Sequence, residues 1–259
     1  MDSGAVEIMF KTIERTRDIK TLSYTIEKIE RIDGDFVRQV SFSKLNRSPL
    51  KVYLKQEFPK QGMEALYRDG GKVLVNPNGF PWFNIRLSPL GNLIRENQHH
   101  TIYESGYDHV MNVLEHIMLK YDEKVFSMLY VEKDTIWDSN PVWKIKLQNP
   151  LYKIDYYTMQ EDETVMQVAR RNMLSEYWLV EQNKSISSCN DKSPGTKIKQ
   201  PSDYAPAMEL YIDQIRLIPL VMKIYDGQGL FEHYSYYDVK VDPEFKEEEF
   251  QKNYFEYGF

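Results

Sequence analysis

The sequence predicts an α+β fold: a meander of antiparallel strands, two substantial helices, and an inserted segment of different pattern. Three observations carry this. Apolar and polar residues alternate with a period of two over many short stretches, and turn dipeptides separate those stretches. Two segments show a helical period instead. Residues 155–201 break the strand pattern altogether.

Residues 5–18 open the chain as a helix, because Val6, Met9, Phe10 and Ile13 fall at i, i+3, i+4 and i+7 and charged residues take the other side. Strands follow. Leu22, Tyr24 and Ile26 alternate with Ser23, Thr25 and Glu27. Asp33-Gly34 is a hairpin signal, since the favoured two-residue turn needs positive φ at both positions. The chain returns over Phe36–Leu45, and further strands are expected at Lys51–Phe58, Glu64–Arg68, Lys72–Val75 and Trp82–Leu87. Asp69-Gly70-Gly71-Lys72 and Asn78-Gly79 supply turns. From Thr101 to Lys120 the period becomes helical, with Val110, Val113, Leu114, Ile117 and Met118 on one stripe. Strands resume at Val125–Val131, Val142–Leu147, Met208–Ile212, Leu217–Tyr225 and Leu230–Val241, the last two joined at Asp226-Gly227. A short acidic helix over Pro243–Gln251 precedes an aromatic tail of Tyr254, Phe255, Tyr257 and Phe259. A sheet this long needs its concave face filled, closed or covered. Helices 5–18 and 101–120 are the candidate covers.

Composition narrows the function classes. The chain has 259 residues, 42% hydrophobic and 14% aromatic, with a net charge of -6 and 19 tyrosines. This is ample core material for one large β domain, or a domain with a smaller module. The acidic balance disfavours a general nucleic-acid binder, which needs a basic face to displace counterions. No stretch approaches the ~18 apolar residues of a transmembrane helix. No signal peptide is visible at Met1, so either the protein stays in the cytoplasm or the numbered chain begins after a removed signal. The single cysteine, Cys189, excludes an internal disulfide and reads as an exposed loop thiol among Ser187, Ser188, Asn190 and Asp191.

Candidate chemistry is sparse. His99-His100 is the most conspicuous polar pair, and His109 and His116 follow on one helical face. The pair could cap the helix start and bond buried backbone, contact a polar ligand, or contribute to a metal site. A metal needs three or four converging ligands, and no His-Glu-x-x-His spacing is present. There is no Gly-x-Ser-x-Gly elbow and no phosphate-binding glycine loop, so no catalytic residue is assigned and no cofactor or metal is expected. Glu247-Glu248-Glu249 reads as solvated helix surface. Phe231, Tyr234, Tyr236 and Tyr237 either line a cavity or pack as core.

Two resemblances add to this reading. Residues 155–201 resemble a LysM module. Tyr157-Thr158-Met159 stands as its first strand, and Thr164, Val165, Val168 and Ala169 as the cap and apolar positions of its first helix. Glu176–Asn183 matches the second helix, and Pro194-Gly195-Thr196-Lys197-Ile198-Lys199-Gln200-Pro201 the closing turn and strand. The resemblance implies a peptidoglycan-type glycan partner, with Glu163, Thr164 and Asn183 beside the groove. The chain departs from the family at Asp162-Glu163, where the module usually carries Gly-Asp.

The flanking residues, 5–154 plus 202–259, resemble the LolA superfamily of exported lipoprotein and lipid carriers, which includes LppX-like proteins. The carrying features are the leading helix, the strand meander, the helix after residue 100 and the closing hairpin. An uncharacterised bacterial family within that group is matched by Pro49–Leu54, Val75–Pro81, Asn97–Ile102 and Asp226–Tyr234. The resemblance implies an antiparallel half-open β-barrel covered by helices, and a periplasmic or otherwise exported protein without enzymatic activity. It would hold a lipid, a lipoprotein or another apolar ligand in a cavity lined by Tyr24, Ile26, Val52, Leu54, Val110 and Leu114. The runner-up is a cell-wall protein that binds glycan through the insert; a hydrolase stands behind both.

Overall fold

The computed structural model describes residues 3–68 and 70–259. Met1, Asp2 and Asp69, the first residue of one expected turn, lie outside them. The elements run in chain order: α1 (Ser3–Asp18), β1 (Thr21–Ile32), β2 (Asp35–Arg47), β3 (Leu50–Phe58), β4 (Glu64–Arg68), β5 (Val73–Asn76), β6 (Ile85–Leu87), α2 (Asn92–Arg95), α3 (Asp108–Tyr121), β7 (Leu129–Trp137), β8 (Asn140–Gln148), β9 (Ile154–Thr158), α4 (Val165–Arg171), α5 (Glu176–Glu181), β10 (Lys197–Pro201), β11 (Ala207–Asp213), β12 (Pro219–Asp226) and β13 (Gly229–Val241). Antiparallel strands dominate, with a few helices between them. The chain forms two compact units, and α1, α3, β12 and β13 each run through both.

The first unit comprises Glu14–His109, Ile218–Met222 and Glu232–Phe259. Its ladder runs β6-β5-β4-β3-β2-β1-β13, with β6 as its edge. Asp33 and Gly34 both have positive φ, as the tight β1–β2 turn requires. Pairing fixes which side chains share a face. Leu22, Leu45, Val52 and Tyr67 stand in one cross-strand row; Tyr24, Ser43, Leu54 and Ala65 stand in the next. Arg47, at the end of β2, caps the close of α1 by donating to the Thr16, Arg17 and Ile19 carbonyls. Thr16 and Arg17 are among the residues whose carbonyls a helix leaves unbonded at its C-terminus, and Ile19 lies just beyond it. The same guanidinium pairs with Asp108 at 2.7 Å.

The opposite face of this unit is strapped by the C-terminal tail. Tyr257 stacks on Tyr53 with ring centroids 3.7 Å apart. The Lys44 ammonium lies over Tyr254 and Tyr257 and pairs with Glu249 at 2.7 Å. Glu64, buried, accepts from the Tyr53 hydroxyl, the Asn76 amide and the Gly258 N–H. The acidic segment expected as a helix is only a 3-10 turn, Glu247–Phe250. Its Glu247 stays solvent-exposed, as expected, and pairs with Lys51 and Arg68.

The second unit comprises the N-terminal residues to Ile13, Val110–Leu217 and Lys223–Phe231. Here β11 pairs β8 and β8 pairs β7, which is the edge. Val110, Val113, Leu114, Ile117 and Met118 of α3 are buried as one stripe. Between β8 and β11, β9-α4-α5-β10 forms a β-α-α-β unit closed by pairing of Asp155 with Gln200 and Ile154 with Pro201. Its core is Val165, Val168, Ala169, Leu179 and Ile198, all fully buried. At its base the Asp203 carboxylate accepts from Lys120, Tyr121, Asn149 and Ser202. Burial opposes that charge, but Lys120 and the hydroxyls outweigh burial and hold the carboxyl below its usual range.

Several expectations are corrected. Phe10, placed on the α1 stripe, is exposed, while Ala5, Val6, Met9 and Ile13 are buried. Cys189 is buried too, because its loop folds back on α4, where the Met166 N–H donates to the Cys189 carbonyl. The strand expected at Val125 begins at Leu129, after a 3-10 turn over Asp122–Ser127. The helix expected from Thr101 begins at Asp108. Thr101 instead caps a single 3-10 turn, Ile102–Glu104, in a capping box with Glu104. Gly106 then breaks the helical path with φ +88. A Cβ there would stand 2.7 Å from Leu45 Cδ2 and 3.6 Å from Leu22 Cδ1.

Gly106→Ala should therefore destabilise the protein by roughly 2–4 kcal/mol, combining backbone strain with overpacking. Gly227→Ala, whose Cβ would meet open space, should stay within about 0.5 kcal/mol. Urea unfolding of the two variants measures the difference.

Candidate functional site

The first unit gathers buried charge at one place. Glu30 of β1 and Glu232 of β13 are direct cross-strand partners, and both are essentially inaccessible. Like charges directly opposite on a sheet repel, and a buried carboxylate needs partners. The segment before the Thr101 turn supplies them. His99 Nδ1 lies 2.8 Å from Glu232 Oε1, and His99 Nε2 lies 2.9 Å from the Arg31 carbonyl. The His99 backbone N–H donates to Glu30 at 3.3 Å. His100 Nε2 approaches Glu232 Oε1 at 3.4 Å. The Tyr234 hydroxyl donates to Glu30 at 2.6 Å, and Lys28 stands 3.9 Å from the same carboxylate.

A carbonyl can only accept, so His99 Nε2 donates to Arg31 while Nδ1 faces the Glu232 carboxylate.

Burial works against the charged forms of Glu30, Glu104, Glu232 and His100. For Glu232 the two histidines overcome it and hold the carboxyl far below its usual range. For Glu30, Lys28, His99, His100 and the Tyr234 hydroxyl do the same. For His100 burial would lower the imidazole, but Glu232, Glu30 and Glu104 raise it to about 9. Glu104 is lowered: burial is outweighed by His100, its bonds to Thr101, and His109. His100 also lies against His109, with ring centroids 4.7 Å apart.

This cluster pins a cover. After His99 and His100 the chain runs over the Leu22–Leu45 side of the sheet, with Gly106 in contact. Tyr236 donates to the Gly106 carbonyl at 3.1 Å. Tyr107 lies against Tyr236 and Tyr103 meets Tyr67 edge-on. Tyr24 packs on Tyr236 at 5.2 Å, and burial pushes its hydroxyl up to about 12.

The residues singled out from sequence fall as follows. Tyr24 and Val52 are buried on this face, and Ile26 and Leu54 are half-buried beside them. Val110 and Leu114 are buried on α3 in the second unit. His99 bonds buried backbone, but the local cap is Thr101. Phe231, Tyr234 and Tyr236 are buried. Among the described residues no group of His, Cys, Asp and Glu is arranged to hold a metal ion. In the β-α-α-β unit, Thr164 is the N-cap of α4 in a capping box with Gln167. Glu163 is buried and accepts from the Gln160 N–H and Arg171. Asn183 is buried and bonds Leu179 and Lys199. Sequence reasoning missed Glu30 and Glu232. Their signal is a carboxylate on a face where the period of two calls for apolar residues, as in Ile26-x-Lys28-x-Glu30.

The sequence pattern of DUF1571, described as a protein of unknown function, matches residues 19–168, more than half of the chain. The chain belongs to that family. The matched region holds Glu30, His99 and His100 and ends before Glu232. No curated protein matches the chain in sequence. Among solved structures, lipoprotein LppX from Mycobacterium tuberculosis is similar, at 11% identity and a TM-score of 0.45, with 95% of this chain and 99% of that one covered. LprF from Mycobacterium bovis is similar at 8% identity and TM-score 0.48, covering 93% and 95%. An uncharacterized conserved protein from Thermus thermophilus is similar at 10% identity and TM-score 0.43, covering 96% and 93%. At these values the likenesses assign no ligand. Among the described residues no helix is long and apolar enough to cross a membrane.

The sign of the pH dependence follows from these shifts. His100 has an ordinary value of 6.5 raised to about 9, so its contribution is complete below 6.5 and is lost as pH rises through 9. The carboxyls of Glu30, Glu104 and Glu232 are lowered from 4.5, so theirs is complete above 4.5 and is lost on acidification. Urea unfolding across pH should show greatest stability between 4.5 and 6.5, with loss on both sides. In an NMR titration the His100 ring should have its midpoint near 9, moving toward 6.5 in Glu232→Gln. A wild-type midpoint at 6.5 would contradict the assignment.

Proposed function

We propose that this chain is an exported, non-enzymatic binding protein. In this reading it holds a lipid, an acyl chain or another apolar ligand on the face of the first unit that carries Leu22, Tyr24, Leu45, Val52 and Tyr67. The observation that carries the reading is the nature of the cover. An apolar sheet face is roofed by an irregular segment, Thr101–Tyr107, held largely by polar pins: His99 on Glu232, Tyr236 on Gly106, and Arg47 on Asp108. Polar pins can release without unfolding the ladder beneath. A ligand that displaces the roof gains burial of about 0.8 kcal/mol per methylene against the exposed face. Ile26 and Leu54, half-buried beside that face, mark where an acyl chain would begin.

Native mass spectrometry and organic extraction of the purified protein test this. The expected result is a bound apolar species, or uptake of a fluorescent fatty acid that Leu45→Glu abolishes. A protein that carries nothing and takes up no acyl probe would overturn the reading.

For the β-α-α-β unit we propose a LysM-type module kept as a structural insertion. Its element order and the Thr164 cap support the module. Glu163 and Asn183 commit their polar atoms to internal bonds, which leaves little for a sugar. Sedimentation of the intact protein with insoluble peptidoglycan should show no retention. Retention lost on Thr164→Arg would instead favour the wall-associated reading.

A further inference from the structure

The most exposed large apolar side chains include three on one loop. Phe80, Trp82 and Phe83 are 86%, 84% and 70% exposed, within the connection between β5 and β6. Water contact on this scale opposes the hydrophobic effect, and single exposed residues are common where clusters are not.

The loop is held in place. The Asn78 N–H donates to the Asn76 side chain, and the Asn78 amide donates to the Gln61 carbonyl of the neighbouring β3–β4 loop. Asn76 in turn bonds Glu64 and the Gly258 carbonyl. Gly62 has φ +80, and any Cβ there would collide with the Asn78 amide. The two loops are thus locked side by side at one end of the ladder, and the aromatic rings project from a bonded frame.

Charge sets the kind of surface they meet. In a chain of net charge -6, residues 70–95 contain Lys72, Arg86 and Arg95 and no Asp or Glu. Arg86 follows the tip on β6, and Lys60 stands exposed in the adjoining loop. Phe58, at the base of that loop, lies under the Arg38 guanidinium at 5.2 Å. Glu57, beside it, is acidic, as is the exposed Glu256 of the tail that meets Asn76. Trp and Phe at a tip with flanking Lys and Arg are the residue types that favour the bilayer interface, and each basic residue adds attraction to anionic lipid.

We propose that the Pro77–Asn84 loop docks on the surface of an anionic phospholipid bilayer, with Phe80, Trp82 and Phe83 entering the headgroup region and Lys60 and Arg86 facing lipid phosphates. The proposal is independent of whether the sheet face carries a ligand, since its readout is vesicle binding alone.

The test is sedimentation with phosphatidylcholine vesicles, with and without phosphatidylglycerol. The protein should bind the phosphatidylglycerol vesicles more strongly. Trp82→Ala and Phe83→Ala should each weaken partitioning by about tenfold, while far-UV circular dichroism and thermal unfolding stay unchanged. Lys60→Glu with Arg86→Glu should remove the preference for anionic lipid. Brominated acyl chains should quench tryptophan fluorescence, and Trp82→Phe should keep binding but remove the quenching. No vesicle binding, binding unaffected by Trp82→Ala, or equal binding to both vesicle types would overturn the proposal. So would concentration-dependent self-association that Trp82→Ala abolishes in the absence of vesicle binding.

Discussion

Two carboxylates placed opposite each other inside a sheet set the terms for the rest of the first unit. Glu30 and Glu232 occupy facing positions on β1 and β13, where a pair of like charges would push the strands apart. Their presence obliges the chain to bring cationic and hydrogen-bond donors to that spot. His99, His100, Lys28 and Tyr234 do so. Once His99 is fixed there, the path of the following residues is largely determined. Thr101 turns the chain, Gly106 lets it pass close to Leu45, and α3 can begin only at Asp108. The cluster thus ties the segment that follows it to the sheet.

How much of this was readable beforehand depended on whether the signal was local. The alternation at Leu22, Tyr24 and Ile26 and the Asp33-Gly34 turn are local, and both correspond to observed elements. The helical stripe Val110–Met118 is local as well, but its start is not. Apolar spacing extends the helix back to Thr101, whereas the close approach of Gly106 to Leu45, more than 60 positions away in sequence, ends it. Cys189 reads as exposed because its neighbours are polar; its burial comes from a fold-back onto α4 that composition does not encode. The histidine pair was visible, but its partner Glu232 is 133 positions away, so the chemistry of the pair could not be assigned from spacing.

The aromatic tail is a similar case. Tyr254, Phe255, Tyr257 and Phe259 announce themselves in the sequence without naming a destination. The destination is the face of the sheet opposite the roofed one, where Tyr53 offers a ring and Lys44 a cation. Glu64 gives that strap its direction, since it receives the Gly258 N–H and also orients Asn76. Through Asn76 and Asn78 the same carboxylate sets the angle of the β5–β6 loop.

The facing carboxylates also bear on the order of assembly. Glu30 belongs to a hairpin that can zip locally, yet the Tyr234 hydroxyl that it accepts comes from 204 residues later. Until β13 arrives, β1 has one edge unpaired and a carboxylate aimed at nothing. Non-local pairings of this kind slow folding, because loop-closure entropy is lost before contacts form. Solvated charge at Glu30 discourages β1 from pairing with a foreign strand in the meantime, a protection found at the edges of many sheets. The feature that makes the finished unit demanding to neutralise is the one that keeps its unfinished form from aggregating.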